Sequence, residues 1–296
     1  MKFNFKIQPY QTDAVESIVD VFAGQPKFDE TSDNTIYARD FGKKVKTVSK
    51  EEIQALQLHF NDLGDSIDVS DAEEQLDAAG YRNADIVLSD QQLLENINTI
   101  QAQQNIYKSS KLFSDIGRVS LDVEMETGTG KTYVYVKTMF ELNKQYGWSK
   151  FIVVVPSIAI REGVKKSMEM TVEHFMEHYG KKARFFIYNS SNLNALDKFS
   201  SDAGINVMII NTQAFATSMK KDAKNKESRI IYSKRDEFNS RRPIDVIKVN
   251  RPIVILDEPQ KMGGAATQTG IKNFNPLFLI NYSATHKNHH NEVYVL

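Results

Sequence analysis

From about residue 118 onward, short runs of β-branched and apolar residues alternate with longer stretches of helical periodicity. The short runs predict strands at 118–123, 151–155, 184–188, 205–210, 252–256 and 277–282. Several of them, Phe151 to Val155 above all, are continuously apolar rather than alternating, which is how strands covered on both faces read. Between them, 131–146, 158–179 and 211–220 are long enough for helical crossovers joining parallel strands. The pattern predicts an α/β protein built on a doubly wound, mainly parallel sheet.

Ahead of this region, the first 24 residues read as an extended entry and a helix, with Thr12 capping the run Ala14, Val15, Ile18, Val19 and Phe22. Residues 25–115 break the rhythm with polar turns and one long helical stretch near 89–108, and read as an insertion before the sheet proper. Residues 221–251 read as a second insertion. Val136, Met139 and Phe140 fall at helical spacing and belong to a core. Trp148, after Gly147 and before a strand, is expected to pack at a helix end.

Composition narrows the possibilities. With 296 residues the chain is one large or two ordinary domains. It has no cysteine, which removes disulfide scaffolds, thiolate zinc sites and cysteine nucleophiles. The N-terminus lacks the apolar core of a signal peptide, and no apolar run approaches the roughly 20 residues of a membrane helix. A cytoplasmic protein without a membrane partner is expected. The net charge of -1 hides a pattern: residues 51–95 carry twelve acids and one base, and residues 216–251 eleven bases and five acids. The basic stretch suits either a solvated surface or a phosphate-rich partner. The acidic one disfavours DNA and suits a protein partner.

Two motifs carry chemistry. Met125-Glu126-Thr127-Gly128-Thr129-Gly130-Lys131-Thr132 follows a predicted strand and opens a predicted helix, the context a phosphate-binding loop needs. Gly128 and Gly130 can adopt backbone angles closed to other residues, so that successive N–H groups converge on phosphate oxygens, aided by the helix N-terminus. Lys131 is placed to reach the β- and γ-phosphates, and the Thr132 hydroxyl to bind Mg²⁺. Met125 stands where the general pattern has glycine. Roughly 125 residues later, the apolar run Pro252 to Leu256 ends in Asp257-Glu258. At the C-terminal end of a strand both carboxylates face the same crevice as the loop. Asp257 is the candidate Mg²⁺ holder, and Glu258 the candidate to orient and deprotonate an attacking water.

These motifs, with Asp257-Glu258-Pro259-Gln260 and then Ser283-Ala284-Thr285 after a strand, resemble superfamily-two helicases and translocases. Gln8-Pro9-Tyr10-Gln11 resembles that family's adenine-contacting element, with Gln11 as the matching glutamine. Val155-Pro156-Ser157 through Arg161 resembles its nucleic-acid-contacting turn, and Asn211-Thr212-Gln213-Ala214-Phe215 its later threonine-bearing contact. Within the superfamily the chain resembles the restriction (Res) subunit of type III restriction-modification enzymes, in the loop running on to Tyr133-Val134-Tyr135, in Asp-Glu-Pro-Gln, and in the long insertion after Gln11.

The resemblance implies a RecA-like ATPase lobe spanning 1–296, with insertions at about 25–115 and 221–251. It implies ATP and Mg²⁺ as cofactors, with ATP held by Gln11, Thr127, Gly128, Thr129, Gly130, Lys131 and Thr132. Lys131, Asp257 and Glu258 are the implied catalytic residues, and Thr132 and Asp257 the metal holders. Nucleic-acid contacts fall to Pro156, Ser157, Arg161 and Thr212, and coupling to Ser283 and Thr285. The implied activity is ATP-driven translocation on double-stranded DNA, alongside a methyltransferase (modification) subunit. A second motor lobe and a nuclease are expected outside this chain, which reads as part of a longer protein.

Two other readings stand beside this one: a superfamily-two DNA or RNA helicase of repair or RNA metabolism without a nuclease, and a nucleotide-dependent binding switch, against which Glu258 speaks. His174-Phe175-Met176-Glu177-His178 matches a zinc-peptidase pattern, but an ordinary helix face is the expectation, because no third ligand is spaced to join it. His286, His289 and His290 read as an exposed polar loop, and Gly263-Gly264 as a flexible connection.

Overall fold

The computed structural model describes residues 5–29, 32–39, 79–216, 229–286 and 291–296. In chain order the elements are α1 (Pro9–Val19), β1 (Ile36–Ala38), β2 (Ala79–Tyr81), α2 (Asp90–Gln103), β3 (Ser120–Glu124), α3 (Lys131–Tyr146), β4 (Lys150–Val155), α4 (Ile158–Tyr179), β5 (Ala183–Ile187), α5 (Asn194–Ser201), β6 (Ile205–Asn211), α6 (Pro243–Val249), β7 (Ile253–Asp257), α7 (Ala265–Asn273), β8 (Leu279–Ser283) and β9 (Glu292–Val295). Strands β3 to β9 form one seven-stranded sheet in the order β5-β6-β4-β7-β8-β3-β9. Every neighbouring pair in it is parallel.

The continuous apolar runs are explained by burial on both faces. Phe151, Val153 and Val155 face one core with α1, α2, α3 and α4, while Ile152 and Val154 face a second core with α5, α6 and α7. The sheet is a doubly wound, RecA-like layer between two helical layers. Helices α3 and α4 end at Gly147 and Gly180, both in the left-handed region (φ 83° and 65°), where glycine closes a helix at no steric cost. No helix among the described residues is long and apolar enough to cross a membrane.

Because the strands are parallel, their C-terminal ends share one rim of the sheet. That rim holds the loop after β3, the turns after β4 and β6, and the segments after β7 and β8. The opposite rim, where strands begin, is closed by the segment after β2. The Asn83 amide, 1% exposed, donates to the carbonyls of Lys150 and Arg251 (2.8 and 2.9 Å) and accepts from the amides of Ser149 and Lys150 (2.8 and 3.0 Å). Buried Trp148 packs against Phe22, Tyr146 and Phe278 and donates its indole N–H to the Ala84 carbonyl (3.0 Å). Residues 79–103, which read as an insertion, thus dock on the sheet, and α2 adds Leu93, Ile97 and Ile100 to the first core.

Several expectations need correction. Thr12 does not cap α1: the helix starts at Pro9, whose fixed φ suits a first helical position, and the Thr12 hydroxyl instead accepts from Lys137 Nζ (2.9 Å). The expected helix at 211–220 is a single 3₁₀ turn, Thr212–Ala214, since β6 runs on through Asn211; residues 217–220 lie outside the described ones. The ribbon β1–β2 and the strand β9 were not foreseen. His286 is not in an exposed loop: its side chain is 3% exposed, with Nε2 3.2 Å from the Val123 carbonyl and Nδ1 3.8 Å from Asp122. His286 comes three residues after the end of β8, the strand paired with β3, within reach of Val123 and Asp122. His289 and His290 lie outside the described residues.

Candidate functional site

The loop leaves β3 at Met125, whose amide still donates to the Ser283 carbonyl of β8 (2.8 Å). Gly128 and Gly130 adopt φ of 90° and 87°. At Gly130 a Cβ would also lie 2.6 Å from Gln11 Nε2, so space and conformation both demand glycine. Thr129 is held twice: its hydroxyl donates to the Glu126 carbonyl (2.7 Å), and its own carbonyl accepts from Tyr10 Oη (3.2 Å) and Gln11 Nε2 (2.9 Å). Gln11, 8% exposed, therefore braces the loop from behind. Thr127 is exposed at the loop's tip. Helix α3 begins at Lys131 without a side-chain cap, leaving its first amides directed at the loop's concavity.

Two strands away, β7 delivers Asp257 and Glu258 to the same concavity. Lys131 Nζ lies 2.9 Å from Glu258 Oε1 and 3.3 Å from the Met125 carbonyl. The chain achieves this by putting Glu258 in the left-handed region (φ 62°), strained for a residue with a Cβ, with its amide bonded to the Tyr282 carbonyl (2.9 Å). Gln260 donates to Glu258 Oε2, and its Oε1 lies 2.9 Å from Ser283 Oγ. Ser283 Oγ in turn accepts from the Thr285 amide (3.1 Å). A hydrogen-bonded path thus runs from Glu258 through Gln260 to the segment after β8.

The two carboxyls differ. Burial, with the charge of Glu258 added, pushes Asp257 up to about 6, against the pull of Lys131 and Lys261. Burial also raises Glu258, but bonds from Lys131 and Gln260, with the charges of Lys131 and Lys261, outweigh it and hold Glu258 below the ordinary carboxyl value. The acids part because only Glu258 touches the ammonium. Thr132 Oγ1 accepts from Tyr135 Oη (3.2 Å), and Tyr135 feels the charge of Asp257. Thr132 and Asp257 offer hard oxygen donors only, a set that suits Mg²⁺ rather than a softer metal. Among the described residues no group of three or more His, Cys, Asp or Glu is placed to hold a metal ion.

Further along the rim, Ser157 caps α4 by accepting from the Ile160 amide (3.3 Å), and Thr212 Oγ1 reaches the Pro156 carbonyl (3.5 Å). Arg161 donates to Asn211 Oδ1 (3.0 Å) and pairs with Glu162. Arg161 Nε and Asn211 Nδ2, both buried, have no hydrogen-bond partner among the described residues, although Asn211 is only 2% exposed. These two buried donors flank the Arg161–Asn211 contact at the foot of the rim.

The basic stretch is less available than its composition implies. Arg241 pairs with Asp197, Arg242 with Asp245 and Arg251 with Asp85, and residues 217–228 lie outside the described ones. His174 is buried against Tyr133 Oη (3.0 Å), and His178 Nδ1 lies 2.8 Å from the His174 carbonyl, an ordinary helix packing. Gly264 serves as the N-cap residue of α7. Sequence reasoning gave no individual role to Tyr10, Tyr135, Asn211 or Gln260, although each lies within a motif it singled out.

The family described as "Type III restriction enzyme, res subunit" matches residues 91–288. The chain belongs to this family. The matched stretch holds the phosphate loop, the acidic pair and Ser283 to Thr285, whereas Tyr10 and Gln11 precede it. The chain is similar to the type III restriction-modification enzyme EcoP15I Res subunit of Escherichia coli, at 31% identity over 216 residues, 69% of this chain and 22% of that one. It is equally similar to the EcoPI Res subunit of Escherichia phage P1, at 31% over 234 residues, 73% of this chain and 24% of that one. It thus spans less than a quarter of the length of these Res relatives. Among solved structures, the UvsW helicase from bacteriophage T4 aligns with 84% of this chain and 74% of that one at 11% identity and a TM-score of 0.34, too distant to bear on the reading of this Res chain.

Proposed function

We propose that the chain is the ATP-hydrolysing motor lobe of a type III restriction enzyme, driving translocation on double-stranded DNA. The observation that carries the reading is the 2.9 Å contact between Lys131 and Glu258, which joins the amide cradle and the carboxylate pair in one site. Lys131 pairs with Glu258. An arriving γ-phosphate competes for the ammonium, and Glu258, released, orients and deprotonates the attacking water. Thr132 and Asp257 would hold Mg²⁺, which supplies charge neutralisation on the phosphates. Gln11 is expected to contact the adenine while bracing the loop, and Thr127 to Gly130 to cradle the phosphates.

The partly exposed Arg161 guanidinium, with Pro156, Ser157 and Thr212 beside it on the rim, is expected to meet the phosphodiester backbone of DNA. Ser283 and Thr285, tied to Glu258 through Gln260, couple hydrolysis to that track. Work with a methyltransferase subunit and cleavage by a nuclease domain are part of the proposal and rest on the Res relatives. Lys131→Ala is expected to abolish DNA-stimulated ATP hydrolysis by the full-length protein, measured with and without duplex DNA. Unchanged hydrolysis by that variant would refute the assignment.

A further inference from the structure

The proposed Mg²⁺ corner depends on a threonine hydroxyl, and a hydroxyl rotates. Thr132 stands at the second position of α3, where no preceding turn offers it a carbonyl to bond. Its orientation is set instead from below. Tyr135, one turn later on the same helix, is completely buried, and its phenol donates to Thr132 Oγ1 at 3.2 Å. Packing alone does not call for a tyrosine here, since a phenylalanine ring fills the same space and spares the cost of burying a hydroxyl. A hydroxyl has one proton and two lone pairs. Once Tyr135 occupies one lone pair of Thr132, the other lone pair and the proton are left to the site.

We propose that Tyr135 is a positioning residue of the nucleotide site, whose buried hydroxyl presets the Thr132 hydroxyl for a divalent cation bound with the triphosphate. This rests on the motor reading and adds to it a residue that touches neither nucleotide nor metal. The neighbouring Tyr282 is a built-in control. It is also completely buried, its ring meets that of Tyr135 edge-on at 5.5 Å, and its hydroxyl lies 3.3 Å from Thr138 Oγ1 rather than from the loop.

The test is the affinity of the full chain for a fluorescent ATP analogue, measured by anisotropy once in Mg²⁺ and once in EDTA. Tyr135→Phe is expected to weaken binding about fivefold in Mg²⁺, the worth of one net hydrogen bond, and to leave binding in EDTA unchanged. Tyr282→Phe should match the wild type in both buffers. In a Thr132→Ala background the additional change Tyr135→Phe should have no further effect on the ratio of the two affinities, because the group it positions is gone. Equal affinity of Tyr135→Phe and wild type in Mg²⁺ overturns the proposal. So does an equal loss in Mg²⁺ and EDTA, the mark of a merely structural role. A wild type that binds no nucleotide in either buffer overturns the motor reading itself, and is recognised without any variant.

Discussion

Replacing Asn83 by alanine removes a single amide group that closes the rim where β4 and β7 begin. The amide makes four hydrogen bonds, all to backbone: two donated to the carbonyls of Lys150 and Arg251 and two accepted from the amides of Ser149 and Lys150. At 1% exposure, water has no ready way to replace them. With about 1 kcal/mol net per bond, and more where a buried partner stays unpaired, the loss is about 4 kcal/mol, a large part of the 5–15 kcal/mol that holds an ordinary domain folded. Urea unfolding followed by circular dichroism reads this as a lower midpoint at unchanged slope. Asn83→Asp should lose a similar amount, because it sets carboxylate oxygens against two carbonyls. Nucleotide affinity of the folded protein should not change, since the clamp lies at the rim opposite the site. A loss below about 1 kcal/mol for Asn83→Ala would refute the view that this side chain fastens the segment after β2 to the sheet.

Three more outcomes are expected. Asp257 must be ionised to hold a cation and its carboxyl is raised to about 6, so affinity for the Mg²⁺–nucleotide pair should be level above that pH and fall up to tenfold per unit below it; an affinity that stays level down to pH 5 contradicts this. Gln260→Leu cuts the path from Glu258 to Ser283 and should lower DNA stimulation of the ATPase at least fivefold while leaving nucleotide affinity within twofold, as read by hydrolysis assays with and without duplex. Arg161→Ala should weaken DNA binding and reduce the slope of log affinity against log salt by about one, the signature of one lost phosphate contact, and an unchanged slope counts against that contact.

How far the sequence could be read depended on whether a signal was local. Strands β4 and β7 are almost wholly apolar runs and β6 is one broken only by the buried Asn206, and α3 and α4 carry both a periodic face and a closing glycine, so their positions were legible to within a residue or so. The start of α1 was misread because Pro9 and Thr12 both mark helix beginnings, and Pro9, the stronger constraint on φ, set it. Strand β9, four residues beyond a polar stretch, has too little pattern to announce itself. In the site, the phosphate loop and the acidic pair are runs of adjacent residues whose chemistry names them. Tyr10, Tyr135, Asn211 and Gln260 matter through partners that only folding supplies, and so does His286, whose place beside Asp122 follows from the pairing of β8 with β3. Charge was misleading in the other direction: Arg241 and Arg251 read as a free basic surface, but acids from distant segments take them up.

An all-parallel sheet divides labour between its ends. Strands of five to seven residues keep the rim that fastens the scaffold roughly 15–20 Å from the rim that carries the proposed nucleotide site. Changes that far apart, with no shared partner, combine almost additively. Thermal hardening and the proposed turnover are therefore separate dials in this protein: an engineer can reinforce the floor around Asn83 and Trp148 without stiffening the rim of the proposed site, and can retune that rim without undermining the floor.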